Sequence, residues 1–127
     1  MKNRWETTKK INRLILIFGF LEATIIYLQV LGIIPSTHDS FAVSGTFPNP
    51  APVGGLLSFC SILALHQSLY NAKWWQWGLF TCYLLIACVL TDSRAALLGF
   101  IVGATMLLLI RYPISNKWLR HAVYIGL

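Results

Sequence analysis

The chain reads as an all-α protein, a polytopic membrane helix bundle of about four spans with both termini cytoplasmic, and three observations lead there. Hydrophobic residues make up 57% of the 127 residues, charged residues only 11%, and the mean hydropathy is +0.66, which exceeds what an ordinary soluble core contains. The apolar residues gather into four stretches, Ile11 to Ile34, Pro52 to Leu69, Trp74 to Leu90 and Ala95 to Ile110. Each is at or near the roughly 20 helical residues that a hydrocarbon layer about 30 Å thick demands, because every backbone polar group must find its partner within the segment. Finally, the cations alternate between the links. Lys2, Arg4, Lys9, Lys10 and Arg13 crowd the first start, none falls between Pro35 and Pro52, Lys73 follows the second stretch, Arg94 stands alone after the third, and Arg111, Lys117 and Arg120 follow the fourth. Positive-inside anchoring places both ends of such a chain in the cytoplasm.

The first span opens on its basic segment. Its apolar run is too long for a signal peptide and no small-x-small cleavage site follows, so it is expected to remain as an uncleaved helix. Gly19, Glu22, Gln29 and Gly32 fall near one helical face. A carboxylate inside the bilayer is costly, so Glu22 is expected to face protein, either as a proton or ligand relay or as a hydrogen bond between helices that fixes packing, and the second role is the one favoured.

The link from Pro35 to Pro52 cannot be regular helix until about Pro52, which suits a first helical turn. It is expected on the outer side as a shaped mouth, with the free N–H groups of the following helix favouring an anion. In the second span, Gly54, Ser58 and Ser61 offer a small-residue face; in the fourth, Ala95, Gly99 and Gly103 recur every fourth residue and are expected to pack against a neighbouring helix. Between the third and fourth spans, the turn around Thr91 to Arg94 sets a planar guanidinium beside the hydroxyls of Thr91 and Ser93, a donor set suited to phosphate; the alternatives are that Arg94 snorkels to the interface or pairs with Asp92.

Trp5, Trp74, Trp75, Trp77 and Trp118 all fall on the expected inner side, at the headgroup level that tryptophan prefers. A net charge of +6 could suggest nucleic acid, but the cations flank apolar spans and almost every aromatic lies within or beside one, so no nucleic-acid partner is expected. Cys60, Cys82 and Cys88 all lie in apolar spans without disulfide or zinc spacing and are expected to pack as small hydrophobes. No metal or other cofactor is implied.

Three ordered segments carry a resemblance. Leu28-Gln29-Val30-Leu31-Gly32-Ile33-Ile34-Pro35-Ser36, Ser44-Gly45-Thr46-Phe47-Pro48-Asn49-Pro50 and Leu90-Thr91-Asp92-Ser93-Arg94-Ala95-Ala96-Leu97-Leu98 together resemble the O-antigen ligase and O-antigen polymerase superfamily. Its members show a Gln-x-x-Gly helix end, a Gly-Thr-Phe-x-Asn-Pro entrance and a Leu-Thr-x-Ser-Arg-Gly/Ala turn in this order. The likeness covers about Leu21 to Ile110. It implies a multi-pass protein of the bacterial inner membrane whose partner is a polyprenyl-diphosphate-linked glycan, transferred to lipid A core, to another glycan or to protein. It implies that Arg94, with Ser93 and Thr91, binds the donor diphosphate, and that Gly45, Thr46, Phe47, Asn49 and Pro50 form the outer entrance. A cation there would stabilise the leaving diphosphate without a metal.

The departures are equally specific. Family members run to several hundred residues and about a dozen spans, with a large outer loop whose His is the usual candidate base. Nothing here corresponds to that loop: His66 falls toward the inner end of the second span, His121 is expected in the cytoplasm and His38 lies in the outer link, so the catalytic residues stay unassigned. Pro48 stands where relatives often have Gly or Asp. His121 to Leu127 begin an apolar stretch too short to span, so the single transmembrane domain, residues 1–127, reads as a piece of a larger one with further membrane helices of a parent protein as partners. Two other readings remain open: a small non-catalytic subunit docking through Ala95, Gly99 and Gly103, and a transporter fragment using Glu22 and the broken entrance at Pro48 to Pro52.

Overall fold

The structure, a computed structural model, describes residues 2–37 and 40–112. The expectations for His38 and for Lys117, Trp118, Arg120 and His121 to Leu127 lie outside those residues. Helix α1 (Lys2–Val30) runs through the basic segment, which contains neither Gly nor Pro to stop it. It ends four residues before the expected Ile34. Gly32 takes φ +71°, its N–H returns to the Gln29 carbonyl at 3.0 Å, and the Ile33 N–H reaches the Leu28 carbonyl at 2.9 Å. That pair of bonds closes a helix around a left-handed residue, for which glycine is the natural choice.

Helix α2 (Pro50–Tyr70) starts at Pro50, two residues before the expected Pro52; Asn49 is its N-cap, and its side chain accepts the Ala51 N–H at 2.9 Å. Helix α3 (Trp74–Leu90) follows a tight link, and Asp92 ends it in the left-handed region at φ 52°. Helix α4 (Arg94–Arg111) completes the described chain. Helices α1 from Arg4, α2 and α4 are long and apolar enough to cross a membrane, as suits a membrane protein; α3, at 17 residues, is shorter.

Successive helices run antiparallel and α2 lies at the centre, packing on α1, α3 and α4, while among the described residues α1 does not touch α4. On one side of α2, Cys60 fills the space beside Gly19, where an added Cβ would come within 2.5 Å of the thiol sulfur. Ile26, Val53, Leu57, Leu84 and Ala87 are fully buried around that seam. On the other side Gly54, Ser58 and Ile62 face Ala96, Gly99 and Gly103 of α4 in turn.

The small-residue stripe of α4 is therefore Ala96, Gly99 and Gly103. Ala95, expected on it, is exposed, whereas Ala96 is buried. The reason is angular: at about 100° per residue, seven steps from Ala96 to Gly103 fall about 20° short of two full turns, while eight steps from Ala95 overshoot by about 80°. Cys60 and Cys88 are buried as expected, but Cys82 points outward from α3.

The two ends differ in charge. Arg4, Lys9, Lys10, Arg13, Lys73 and Arg111 lie at the end that also holds Trp5, Trp74 and Trp75. There Lys9 Nζ sits 5.4 Å above the Trp5 ring, and the Arg111 guanidinium lies 5.3 Å from the Tyr70 ring and 5.4 Å from that of Tyr112. Among the described residues, the opposite end holds a single cation, Arg94.

Candidate functional site at the loop end

The segment between α1 and α2 is held down by two side chains of α1. Gln29 accepts the N–H groups of Ser44 and Gly45 on its carbonyl oxygen at 3.1 and 2.9 Å, and donates its amide to the Gly45 carbonyl at 3.0 Å. Two turns deeper, about 10 Å along the axis, Glu22 accepts the Thr46 N–H at 3.0 Å and, on its other oxygen, the Thr46 hydroxyl. Both side chains are buried. Buried backbone groups outside regular structure need partners, and these bonds satisfy the loop's donors from within the protein.

Glu22 thus serves a structural purpose, as favoured from the sequence, with one change: it grips the loop rather than another helix. Thr46, expected in the outer entrance, gives both its N–H and its hydroxyl to that grip. Gly45 is required twice, since its φ is +63° and an added Cβ would lie 2.6 Å from Glu22 Oε2 and 3.1 Å from Val53 Cγ2. Ser44, fully buried, bonds to Thr37 at 2.7 Å and to Ser36 at 3.1 Å, and Thr37 also donates to the Phe47 carbonyl at 2.8 Å. Phe47 packs against the apolar core, while Pro48 is exposed.

The start of α2 meets the α3–α4 turn directly. A Cβ added to Gly54 would lie 2.8 Å from both Ser93 Cβ and Thr91 Oγ1, and 3.2 Å from Ala96 Cβ. The two segments singled out from the sequence therefore sit together at one end of the bundle. Within the turn, Thr91 is buried and its hydroxyl donates to the Cys88 carbonyl at 2.7 Å; expected beside a ligand, it faces the packing instead. Asp92 adopts the left-handed conformation, which short polar side chains tolerate. Arg94, the first residue of α4, is exposed, and neither Asp92 nor any other described residue forms an ion pair with it.

The start of α2, expected to favour an anion, is poor in donors. Pro50 and Pro52 carry no N–H, and Asn49 takes the Ala51 N–H that lies between them, so the first turn has almost no donors left. Helix α4 has what α2 lacks. Ser93 is its N-cap without a side-chain cap bond, its carbonyl accepts the Leu97 N–H at 3.2 Å, and the Arg94, Ala95 and Ala96 N–H groups have no intrahelical acceptor. Guanidinium, Ser93 hydroxyl and helix dipole all belong to this one turn. Ala95, expected as packing, contributes a backbone donor here; the signal available from the sequence was Ser93 in the N-cap position.

Among the described residues, no group of three or more His, Cys, Asp or Glu side chains could hold a metal ion. No protein-family model, curated protein or solved structure matches the chain.

Proposed function

We propose that this chain is part of an O-antigen ligase or polymerase-like membrane glycosyltransferase, and that its α4 start binds the diphosphate of a polyprenyl-linked glycan donor. The observation that carries the reading is the exposed Arg94 guanidinium on the same helical turn as free backbone N–H groups and the Ser93 hydroxyl, in a turn that packs against Gly54 near the start of α2. Three donor types belong to one helical turn, each suited to a diphosphate's acceptors, and a cation there would favour charge developing on the leaving group. In this reading the basic, tryptophan-bearing end faces the cytoplasm of a bacterial inner membrane and the loop end faces outward. Acceptor activation belongs to further helices and loops of a parent protein.

The docking alternative uses Gly99 and Gly103, which already face Ser58 and Ile62 of the same chain. The test is binding of polyprenyl diphosphate to the detergent-purified chain. Arg94→Ala should weaken binding by tenfold or more, Arg94→Lys should restore part of it because a point charge lacks the planar fork, and Arg111→Ala should leave it unchanged. Equal binding by Arg94→Ala and the parent chain would remove the reading.

A further inference from the structure

The end opposite Arg94 carries a second feature, a groove between α1 and α3 that changes character along its length. Lys9, Asn12, Arg13, Leu16, Ile17 and Phe20 follow one another on a single stripe of α1, at steps of three, one, three, one and three residues. The upper part, about 290 Å³, is lined by Lys9, Asn12 and Arg13 with Gln67 and Asn71 from the end of α2. The adjoining part, about 270 Å³, is lined by Leu16, Ile17 and Phe20 with Trp77 and Phe80 of α3 and is wholly apolar beyond Arg13. Arg13, Leu16 and Trp77 border both parts.

We infer that this groove binds one anionic phospholipid, with its phosphate between Lys9 and Arg13 and an acyl chain along Leu16, Ile17, Phe20 and Phe80. Charge and polarity together select the occupant. Two cations and neighbouring side-chain amides suit a phosphate that keeps a net negative charge, and the continuous apolar floor suits a hydrocarbon chain. The indole of Trp77 lies where the two parts meet, the level at which tryptophan settles in a bilayer. Glu6, one turn before Lys9, would repel an anion placed further out, which leaves the Lys9–Arg13 pair as the favourable seat. This inference is independent of the donor reading and holds whichever leaflet the basic end occupies.

The test is native mass spectrometry of the full chain released from bilayers that mix phosphatidylglycerol and phosphatidylcholine equally. The parent chain should retain one phosphatidylglycerol in preference to phosphatidylcholine. Lys9→Gln and Arg13→Gln should each lower that retention about fivefold, the effect of removing one surface cation near an anionic headgroup. Ile17→Trp, at an exposed position on the groove wall, should reduce retention of both lipids while the thermal midpoint is preserved. Arg111→Gln, at the same end but outside the groove, should change nothing. Equal retention of the two lipids, or a loss with Arg111→Gln as large as with Arg13→Gln, would overturn the assignment.

Discussion

At the loop end, backbone donors of the 44–46 segment are gripped by Glu22 and Gln29, and glycines bring segments into direct contact; at the basic end, Lys9, Arg13, Trp77 and Phe80 border open grooves. The contrast is between an end where buried side-chain hydrogen bonds fix a loop and an end where side chains leave open grooves. Polar groups in a bilayer specify position because their alternatives are so unfavourable, whereas apolar side chains against lipid lose little by standing apart.

Breaking the clasp should have the largest effect. Glu22→Ala leaves the Thr46 N–H and hydroxyl without partners inside the protein, and we expect a loss of about 2 to 4 kcal/mol, read as a fall in the thermal midpoint in detergent. Glu22→Gln keeps a carbonyl acceptor and should recover more than half of that loss; no recovery would mean that the negative charge itself matters. Next comes Gly45→Ala, which combines a left-handed residue with a Cβ that meets Glu22 and Val53, for about 2 to 3 kcal/mol. A substitution of the same kind at Gly32, where nothing lies within 4 Å, should cost only the conformational part, about 1 to 2 kcal/mol. The difference between the two glycines measures how tightly the loop is seated.

Gly54→Ala sharpens the comparison from the other side of α2. Its Cβ would press on Ser93, Thr91 and Ala96, so we expect about 1 to 3 kcal/mol of destabilisation together with weaker polyprenyl-diphosphate binding, because the turn carrying Arg94 must move. The smallest effect should be a gain. Asp92→Gly relieves a non-glycine residue at φ 52° and should stabilise α3 by about 0.5 to 1 kcal/mol, a small rise in thermal midpoint.

Much of this architecture was legible in the chain. The four apolar stretches gave the helices, and the Pro-rich link and the Thr91–Arg94 turn were expected to share one end, where Gly54 meets Thr91 and Ser93. The errors have physical causes. Gly32 closes α1 early because a left-handed residue plus two backbone bonds ends a helix more strongly than the following apolar residues extend it. Ala95 and Ala96 differ by a rotation of about 100°, and a repeat of four residues does not resolve which of them faces a neighbour. The partner of Glu22 was hidden because it is a backbone amide 24 residues away, and no side-chain pattern encodes that. The donor content of the α2 start, by contrast, was readable: Pro50 and Pro52 announce missing N–H groups, and Asn49 announces the cap on the one between them.

In the proposed arrangement the clasped loop and the Arg94 turn share one membrane face, and the grooves of the basic end lie at the other. In a background with Cys60, Cys82 and Cys88 replaced by alanine, single cysteines at the exposed positions Ala42, Asp92 and Ala72 can be challenged with a membrane-impermeant thiol reagent on sealed, right-side-out vesicles. Ala42→Cys and Asp92→Cys should both be labelled from outside, and Ala72→Cys only after the membrane is opened. Labelling of Ala42→Cys and Asp92→Cys from opposite sides, or of Ala72→Cys together with either on intact vesicles, would contradict it.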